Sequence, residues 1–597
     1  MGYADTDQSG TGLRQRIYCR AFIIGSLSDD SSRVAYLVLD TQSGDTAVRH
    51  GILEGLKRLG PEYEMYNKNS VAITGTHSHS GPGAWLNYLL PQITSKGFNK
   101  ESYEAIVNGS VLAIKRAHAS LVPGRLRLGQ QTIMNANANR SPYAYLQNPA
   151  SERKQYESDV DKTMTLLKFE RASDGHPLGA LSWFPVHGTS LYQNNTLVTG
   201  DNKGVAAYLL EEYMKEINPE FVGGFSQANV GDTSPNTLGA FSLGYGFAGG
   251  TTDGPGAFDF SQGTNDSDDS PSLKNPVWKL ARKFIHEPSD EQRRCQSPKP
   301  VLLDVGEADR PYAWSPNIVD IQLLRIGSLI IIVSPGEATT MAGRRWRNAL
   351  DNAARSVLNI ETPTVVLGGP ANTYAHYIST EEEYRVQRYE GASTLYGPHT
   401  LEAYVNLTLQ YLPYLGSADE RSRLRRLPSG PSPPININSS WSFITPVVVD
   451  HAGLLRKFGN TLSSPDPSKP FTPGTTVRAE FVGANPRNNF RLEGTFAAVE
   501  KYDSSGSWIQ VRDDRDWFLV YKWKRTSSAL GTSEVSIEWE IEPGTEPGMY
   551  RLKYYGDAKS LTGTITPFEG TSGVFNVAGD GKSDKSKSSF WDELVRV

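Results

Sequence analysis

Short apolar runs alternate with longer amphipathic segments from about residue 15 to 425. The short runs are rich in β-branched residues and are bounded by Gly, Pro or polar residues, which predicts buried strands, whereas apolar residues recurring every three or four positions predict helices. The clearest predicted strands are 70–74, 329–333 and 364–367, and the clearest predicted helices are 204–217, 276–286 and 339–357. This alternation predicts a mixed α/β unit around a buried sheet, with functional residues on loops at strand ends.

The pattern changes after a proline-rich stretch at 426–440, which cannot continue a helix or a central strand. Strand-like runs separated by Gly, Pro, Asn or Asp turns follow, at 476–482, 495–502, 508–511, 534–541 and 548–555. We therefore expect a large α/β domain over 1–425, a linker over 426–440 and an antiparallel β-sandwich of immunoglobulin-like type over 441–579. The tail 580–597 is rich in Lys, Asp and Ser and is expected to be poorly ordered.

Composition narrows the class of protein. The 597 residues are 38% hydrophobic and 21% charged, which is ordinary for a folded globular chain, and the formal net charge is −5. Without a basic stretch, a nucleic-acid partner is not expected. Cys19 and Cys295 can form one disulfide at most, and the sequence leaves open whether they pair. No apolar run approaches the roughly 18 to 20 residues that cross a bilayer.

Two histidine motifs follow apolar strands. Thr76-His-Ser-His-Ser-Gly-Pro-Gly83 places His77 and His79 at a strand end, and in an extended segment both side chains would project to one side. Trp183-Phe-Pro-Val-His-Gly188 places His187 in the same kind of position. Each histidine alone could be structural, but a catalytic metal site draws its ligands from separate elements, so the coincidence favours a metal site.

Two further loops carry candidate chemistry. Glu337 follows the most apolar strand and opens a predicted helix, where an acidic residue is also favoured for structural reasons. Ser234 lies in Asn229-Val-Gly-Asp-Thr-Ser-Pro-Asn236, which lacks the Gly-x-Ser-x-Gly elbow of α/β-hydrolases. Considered by itself, Ser234 is better explained as a turn residue than as a nucleophile.

These motifs occur together with others in a shared order, and the sequence resembles the neutral ceramidase family over nearly its whole length. The remaining matching segments are Gly2-Tyr-Ala-Asp5, Gly10-Thr-Gly-Leu-Arg-Gln-Arg16, Asn139-Arg-Ser-Pro-Tyr143, Tyr374-Ala-His-Tyr-Ile378, Gln387-Arg-Tyr-Glu390, Leu395-Tyr-Gly-Pro-His399 and Phe481-Val-Gly-Ala-Asn-Pro-Arg487. The resemblance implies hydrolysis of the N-acyl amide bond of ceramide to sphingosine and a fatty acid.

The resemblance also implies the site residues. Four of them would hold a zinc ion: His77, His187, Glu337 and Tyr377. Four more would act on the substrate: Ser234 as nucleophile, with His79, Arg140 and Tyr389 lining the site and Tyr389 helping the metal to stabilise the oxyanion. Tyrosine is an unusual zinc ligand, so the residue types alone would not single out Tyr377.

Several expectations concern the membrane and the compartment. The apolar segments 84–90 and 238–247 adjoin the site motifs, and we expect them to form the substrate entrance or to rest on a membrane surface, with core packing as the alternative. By resemblance, the protein is expected in the secretory pathway, secreted or membrane-associated, and the sequons at Asn108 and Asn406 agree with this.

Two features depart from the family. The chain begins inside the Gly-Tyr-Ala-Asp motif, so we expect a truncated N-terminus, and this weakens an interpretation of Met1-Gly2 as a myristoylation signal. The segment 248–272 is rich in Gly, Thr, Asp and Ser and differs from the family pattern.

Two rival functions stay open. One is a zinc amidase or esterase acting on another acyl lipid. The other is a catalytically silent protein that binds surfaces through its β-sandwich. The sequence does not indicate the oligomeric state.

Overall fold

The computed structural model describes residues 1–3, 6–29, 32–236, 250–251, 254–255, 286–427 and 430–579. Its strands are Gly12–Leu13, Cys19–Gly25, Arg33–Leu39, Val71–Gly75, Gly124–Thr132, Ala138–Asn139, Thr163–Arg171, Pro177–Trp183, Leu197–Val198, Val222–Ser226, Thr233–Ser234, Gly250–Thr251, Gly254–Pro255, Gln322–Ile326, Leu329–Val333, Glu337–Ala338, Thr364–Gly368, Tyr377–Ile378, Thr461–Ser463, Thr476–Gly483, Ala497–Tyr502, Trp508–Asp513, Leu519–Ser527, Thr532–Glu540, Gly548–Lys559, Ile565–Thr571 and Phe575–Val577. Its α-helices are Thr46–Leu59, Leu89–Thr94, Lys100–Ala119, Pro142–Tyr145, Ala150–Arg153, Asp201–Met214, Asp290–Cys295, Thr340–Val357, Glu381–Arg385, Tyr389–Ala392, Thr400–Tyr411 and Ala418–Ser422, and its 3-10 helices are Pro61–Tyr63, Leu412–Leu415 and Pro486–Asn488.

Three short sheets of mixed direction form the centre of the first unit. Their strand orders are 19–25, 33–39, 71–75 for the first sheet; 222–226, 177–183, 163–171, 124–132 for the second; and 322–326, 329–333, 364–368 for the third. Each sheet contains one parallel pair, which joins 33–39 to 71–75, 177–183 to 222–226, and 329–333 to 364–368. Loops that leave the carboxyl ends of such strands can meet at one place, which is where ligands bind in sheets of this kind.

One apolar core holds the three sheets together. Tyr36, Leu181 and Ile331 come from different sheets and lie in the same buried cluster. The Tyr36 hydroxyl accepts a hydrogen bond from Trp183 Nε1 at 3.0 Å and lies 2.8 Å from Ser226 Oγ. This polar link lets the aromatic pair stay fully buried, because both of its polar atoms have partners.

Helices cover the outer faces of the sheets. The helices 46–59 and 100–119 pack on the first sheet, and the helices 340–357 and 400–411 pack on the third. The helix 340–357 begins directly after Thr339, whose side chain accepts a hydrogen bond from the Ala342 amide. This N-cap sets the start of the helix three residues after Glu337.

The second unit is a sandwich of two sheets around one aromatic-rich core. Strands 461–463, 476–483, 532–540 and 519–527 form one sheet, and 508–513, 497–502, 548–559 and 565–571 form the other, with 575–577 paired to 548–559. Within each sheet these strands pair antiparallel. Phe481 from one sheet and Leu552 from the other are fully buried in the shared core.

The first unit contributes strands to this sandwich. Gly12–Leu13 pairs antiparallel with 519–527 and parallel with 197–198, so one sheet runs across both units. The Arg16 guanidinium forms a two-pronged ion pair with the buried Asp514 carboxylate. The proline-rich segment is also attached, because Asn87 donates to the Pro434 carbonyl and accepts from the Asn436 amide. The two units therefore share a continuous, hydrogen-bonded interface.

Most predicted elements are confirmed within a few residues. The strand predicted at 70–74 is Val71–Gly75, and the helix predicted at 204–217 is Asp201–Met214. The predicted helix 276–286, the segments 238–247 and 248–272 and the tail 580–597 lie wholly or almost wholly outside the described residues. Cys19 and Cys295 are both free. In the described part of the chain, no helix has the length and apolarity needed to span a bilayer.

The expectation that the segment 84–90 rests on a membrane surface is wrong for two of its side chains, Trp85 and Leu89. Trp85 is fully buried in the core beneath the first sheet, and Leu89 is 9% exposed and packs against Tyr312 and Trp314. The core-packing alternative holds for these two side chains, so they cannot serve as a membrane-contact surface.

Candidate active site

Two strand-end loops bring the predicted histidines together. Ser78 and Gly188 form a parallel β-bridge, and the His79 amide donates to the Gly188 carbonyl at 2.9 Å. A Cβ at position 188 would lie 2.2 Å from the His77 carbonyl oxygen, so only glycine allows this approach. The bridge places the imidazoles of His77 and His187 with ring centroids 4.3 Å apart.

The prediction that an extended segment directs His77 and His79 to the same side is wrong. His77 has a φ of 66°, in the left-handed region, so the segment is not extended there. The Nε2 atoms of His77 and His79 nevertheless lie 3.3 Å apart. The turn at His77, and not alternation along a strand, therefore aims both rings at one place.

Three ligand atoms converge at this point. His77 Nε2 lies 2.9 Å from His187 Nε2, and Glu337 Oε2 lies 3.2 Å and 3.5 Å from these two nitrogens. The opposite ring nitrogens face backbone carbonyls, His77 Nδ1 at 2.7 Å from Gln42 O and His187 Nδ1 at 3.1 Å from Val230 O. Each Nδ1 must carry the proton in order to donate, which leaves both Nε2 atoms unprotonated.

This arrangement fits a metal ion. Two lone pairs and a carboxylate oxygen repel one another unless a positive charge lies among them, and among the described residues Glu337 Oε2 accepts no hydrogen bond. The ligands of one tetrahedral zinc are about 3.3 Å apart, close to the three distances observed. Burial lowers the pKa of His187 and of His79 well below the ordinary range, so both imidazoles are neutral and able to coordinate.

A parallel strand pair positions Glu337. The two-residue strand Glu337–Ala338 pairs with Tyr377–Ile378, with Glu337 opposite Tyr377. Tyr374 Oη donates to Glu337 Oε1 at 2.6 Å, which fixes the carboxylate with its other oxygen towards the histidines. Burial disfavours the charge of Glu337, whereas the hydrogen bond from Tyr374 and the positive charge of Arg140 favour it. Glu337 is therefore ionised at neutral pH.

Arg140 connects the histidines to the tyrosines. Its Nη2 donates to Tyr377 Oη and its Nη1 lies 3.3 Å from His187 Nε2, while its Nε donates to Glu390 Oε1 at 3.1 Å. The rings of Tyr377 and Tyr389 are 5.3 Å apart, edge to face, and the Arg140 guanidinium lies 5.3 Å from the Tyr389 ring. Burial raises the pKa of Tyr389 to about 12, so its hydroxyl stays protonated and can donate.

Ser234 lies on a separate short strand that is tied to the same centre. Strand 233–234 pairs with strand 138–139, which directly precedes Arg140. The Arg140 amide donates a hydrogen bond to the Asp232 carbonyl. Ser234 is fully buried, and its Oγ donates to the Asn236 carbonyl at 3.0 Å and accepts from the Asn236 amide. The turn expected from the sequence is therefore present, and the serine side chain is held in it.

The Asp232 carboxylate anchors the serine loop to the metal-ligand loop. Asp232 Oδ1 accepts from both the amide and the hydroxyl of Thr340, each at 2.7 Å, at the start of the helix 340–357. Next to it, the Gly231 amide donates to the Ala338 carbonyl, and a Cβ on Gly231 would come within 2.7 Å of Glu337 O. These contacts hold the serine loop against the segment that carries Glu337.

Sequence reasoning missed three residues of this site: Tyr374, Asp232 and Glu390. Tyr374 and Glu390 lie inside motifs that carried the family resemblance, and Asp232 lies two residues before the serine. Glu390 is 1% exposed and accepts from Arg140 and Ser141, so it balances the buried guanidinium. A buried acid opposite a buried arginine leaves no signal in a single sequence, because its partner is 250 positions away.

A buried metal-ligand set at strand ends, beside a serine turn and a protonated tyrosine, is suited to hydrolysis of an acyl bond. Comparison with known proteins agrees with this class. A family model described as neutral/alkaline non-lysosomal ceramidase, N-terminal, matches residues 1–242 and 241–406, and the model of the C-terminal part of that family matches residues 408–577.

Individual relatives are similar over almost their whole length. Neutral ceramidase 2 of Arabidopsis thaliana and neutral ceramidase of Drosophila melanogaster are each 35% identical over 97% of this chain and 94% of the relative. A solved structure titled "Ceramidase complexed with C2" has a TM-score of 0.84 at 32% identity, and neutral ceramidase from Pseudomonas aeruginosa has 0.83 at 33% identity. Each covers 97% of this chain and 96% of the solved chain. The chain belongs to the neutral/alkaline non-lysosomal ceramidase family.

Proposed function

We propose that this protein hydrolyses the N-acyl amide bond of ceramide, releasing sphingosine and a fatty acid, with Ser234 as nucleophile. The convergence of His77 Nε2, His187 Nε2 and Glu337 Oε2 within 3.5 Å of one another carries the proposal. These residues would hold a zinc ion, with Tyr377 as the fourth ligand. When bound, zinc supplies a Lewis acid that polarises the amide carbonyl and favours deprotonation of the attacking hydroxyl.

Ser234 performs the bond exchange. Its hydroxyl gives up the hydrogen bond to the Asn236 carbonyl, and Oγ forms a bond to the acyl carbon. The hydroxyl proton is transferred to the departing amine nitrogen as the C–N bond breaks. Water then cleaves the acyl ester and restores the serine hydroxyl. The Asn236 amide, which donates to Oγ at 3.2 Å, can remain a hydrogen-bond donor as negative charge develops nearby.

Arg140 and Tyr389 act on the acyl oxygen and on the ligand shell. Tyr389 keeps its proton and can donate a hydrogen bond to the developing oxyanion. Burial raises the pKa of Tyr377 well above its usual range, and Arg140, which donates to Tyr377 Oη at 2.9 Å, acts against this shift by favouring the ionised phenol that a tyrosine ligand requires. His79 borders the centre beside His77 and is partly exposed, so it can meet the substrate.

The test compares Ser234→Ala with the wild type. We expect no measurable turnover of ceramide, an unchanged stoichiometric zinc content and an unchanged melting temperature, because the hydrogen bonds that the side chain makes with the described residues lie within its own turn. Ser234→Thr is the matched control that keeps a hydroxyl. Substantial residual activity in the alanine variant, at full zinc content, would mean that water attacks directly and that Ser234 is not the nucleophile.

The rival functions predict different results. A zinc amidase or esterase for another acyl lipid would cleave other N-acyl or O-acyl substrates faster than ceramide. A silent surface-binding protein would lack both stoichiometric zinc and release of fatty acid.

The remaining expectations are also proposals. We place the protein in the secretory pathway, where the exposed Asn108 and Asn406 side chains could be glycosylated, and removal of N-glycans from the secreted protein would then lower its mass. The two antiparallel sheets around one core support an immunoglobulin-like class for the second unit. Peripheral contact with a membrane fits a substrate that resides in one.

A further inference from the structure

Three loops adjoin one another at one end of the C-terminal sandwich: 447–460, 527–532 and 559–565. The His451 amide donates to the Gly531 carbonyl at 3.1 Å, and the Asp450 amide donates to the Lys559 carbonyl at 2.8 Å. The first loop thus lies between the other two, which are the turns of two strand pairs. Phe458 stacks on Phe568 at 5.1 Å and anchors the far side of the first loop.

Each of these loops exposes leucine. Leu454 is 87% exposed, Leu455 99%, Leu530 67% and Leu561 82%, and we name these four residues the leucine tip. A single exposed apolar side chain on a soluble protein is ordinary, but four large aliphatic side chains on adjoining loops mark an interaction surface. They contribute little to folding, since side chains so exposed bury little apolar area.

The backbone at Leu455 is strained. Its φ is 59°, a left-handed conformation that is unfavourable for a non-glycine residue because its Cβ comes too close to the following carbonyl oxygen. Glycine or asparagine would fit this turn better, and leucine gains almost no burial there in return. A strained, fully exposed leucine is therefore better explained by binding than by stability.

The charges on the same loops are nearly all positive. The three segments contain Arg456, Lys457 and Lys559, and their single acidic residue is Asp450. Asp450 is buried, and it accepts hydrogen bonds from Arg525 and from the Asn485 amide, so its charge is compensated internally. Arg456 and Lys457 are exposed directly beside Leu454 and Leu455. The surface thus combines aliphatic tips with flanking cations.

We propose that the leucine tip docks the protein on a lipid bilayer that carries anionic headgroups, with the leucines entering the interface and Arg456 and Lys457 facing the headgroups. A protein partner fits less well, because binding hot spots on proteins are enriched in Trp, Tyr and Arg and depleted in Leu. Aliphatic side chains flanked by basic residues are the combination that binds bilayer surfaces. The inference deepens the proposed function, since a ceramidase must reach a substrate that lies in a membrane.

The experiment measures co-sedimentation of the full chain with phosphatidylcholine vesicles, with and without phosphatidylserine. The variants are Leu454→Ser/Leu455→Ser and Arg456→Gln/Lys457→Gln. The matched control is Leu27→Ser, which removes an equally exposed leucine, 83% exposed, from a turn of the first unit. Melting temperature and hydrolysis of ceramide in detergent micelles are recorded for every variant.

We expect the leucine pair variant to lose at least about tenfold in partition to phosphatidylserine vesicles. The charge pair variant should lose about fivefold per removed charge on these vesicles and little on neutral ones. The control should bind like the wild type, and micellar activity should be unchanged in all variants. Hydrolysis of ceramide embedded in vesicles should fall with the binding.

The proposal is overturned if the wild type does not co-sediment with phosphatidylserine vesicles, or if the leucine pair variant binds these vesicles as well as the wild type does. In the first case the surface would fit a protein partner instead. Failure of the proposed function gives a different result. If the wild type does not hydrolyse micellar ceramide, but the variants still reduce binding to vesicles as expected, the docking surface is supported and the proposed enzymatic activity is contradicted.

Discussion

The close approach at Gly188 gives a quantitative prediction about the proposed zinc site. In Gly188→Ala the new Cβ would meet the His77 carbonyl oxygen at 2.2 Å and the Ser78 Cα at 2.8 Å. Ordinary van der Waals separations of carbon contacts are about 3.5 Å, so the loops of His77 and His187 must separate by ~1 Å. All the clashing atoms belong to the backbone, so a side-chain rotation cannot relieve the contact.

A shift of this size exceeds what a metal site tolerates. Metal–ligand distances are held within about 0.2 Å, so moving His187 relative to His77 should weaken zinc binding on the order of 10- to 100-fold. The overpacking should also cost about 1–3 kcal/mol of stability. We expect the protein to fold, to lose zinc to a weak chelator that the wild type resists, and to regain part of its activity when zinc is in excess.

The assay is zinc content by mass spectrometry against a series of chelator concentrations, together with the free energy of unfolding. Gly109→Ala is the control, because a Cβ there meets no atom within 4 Å and it lies inside the helix 100–119. This control should keep its zinc and gain about 0.5–1 kcal/mol in stability. Wild-type zinc affinity in Gly188→Ala would refute the idea that the loop bridge sets the metal geometry.

Two other predictions follow from buried charges. Arg140→Gln leaves the Glu390 carboxylate buried without its cation and should cost about 3–5 kcal/mol of stability. Arg140→Gln/Glu390→Gln should recover most of that stability but not the turnover. Denaturant titrations and activity assays on both variants therefore separate the role proposed for Arg140 in turnover from its role in charge balance. At Asp161, burial alone would raise the pKa, but the guanidinium groups of Arg347 and Arg344 outweigh it and hold the pKa below the usual range. Because the folded pKa is depressed, the stabilisation is complete above the unfolded value of about 3.9 and is lost as pH falls through the lower folded value. Unfolding free energies measured from pH 6 down to about 2 should therefore fall less steeply for Asp161→Asn than for the wild type; equal slopes would contradict this assignment.

The sequence determined the elements and most of the candidate residues of this protein. Apolar runs such as 329–333 and Gly or Pro boundaries are local signals, and local signals suffice to predict strands and helices. The strand-end positions of His77, His187 and Glu337 were visible for the same reason. The order of motifs then identified the family, although the serine loop by itself indicated only a turn.

Other features needed the tertiary structure. Glu390 balances Arg140 across 250 positions, and Gly12–Leu13 joins the distant sandwich, because such pairings depend on which loops meet in space. Trp85 was expected at the substrate entrance or on a membrane surface, but it is buried in the core. Composition cannot distinguish an apolar surface segment from a core segment. The positive φ of His77 directs its ring towards His187, and the sequence contains no local signal that predicts this turn. Local patterns determine what each segment is, whereas the meeting of segments at the candidate metal centre and at the leucine tip depends on the packing of the whole chain.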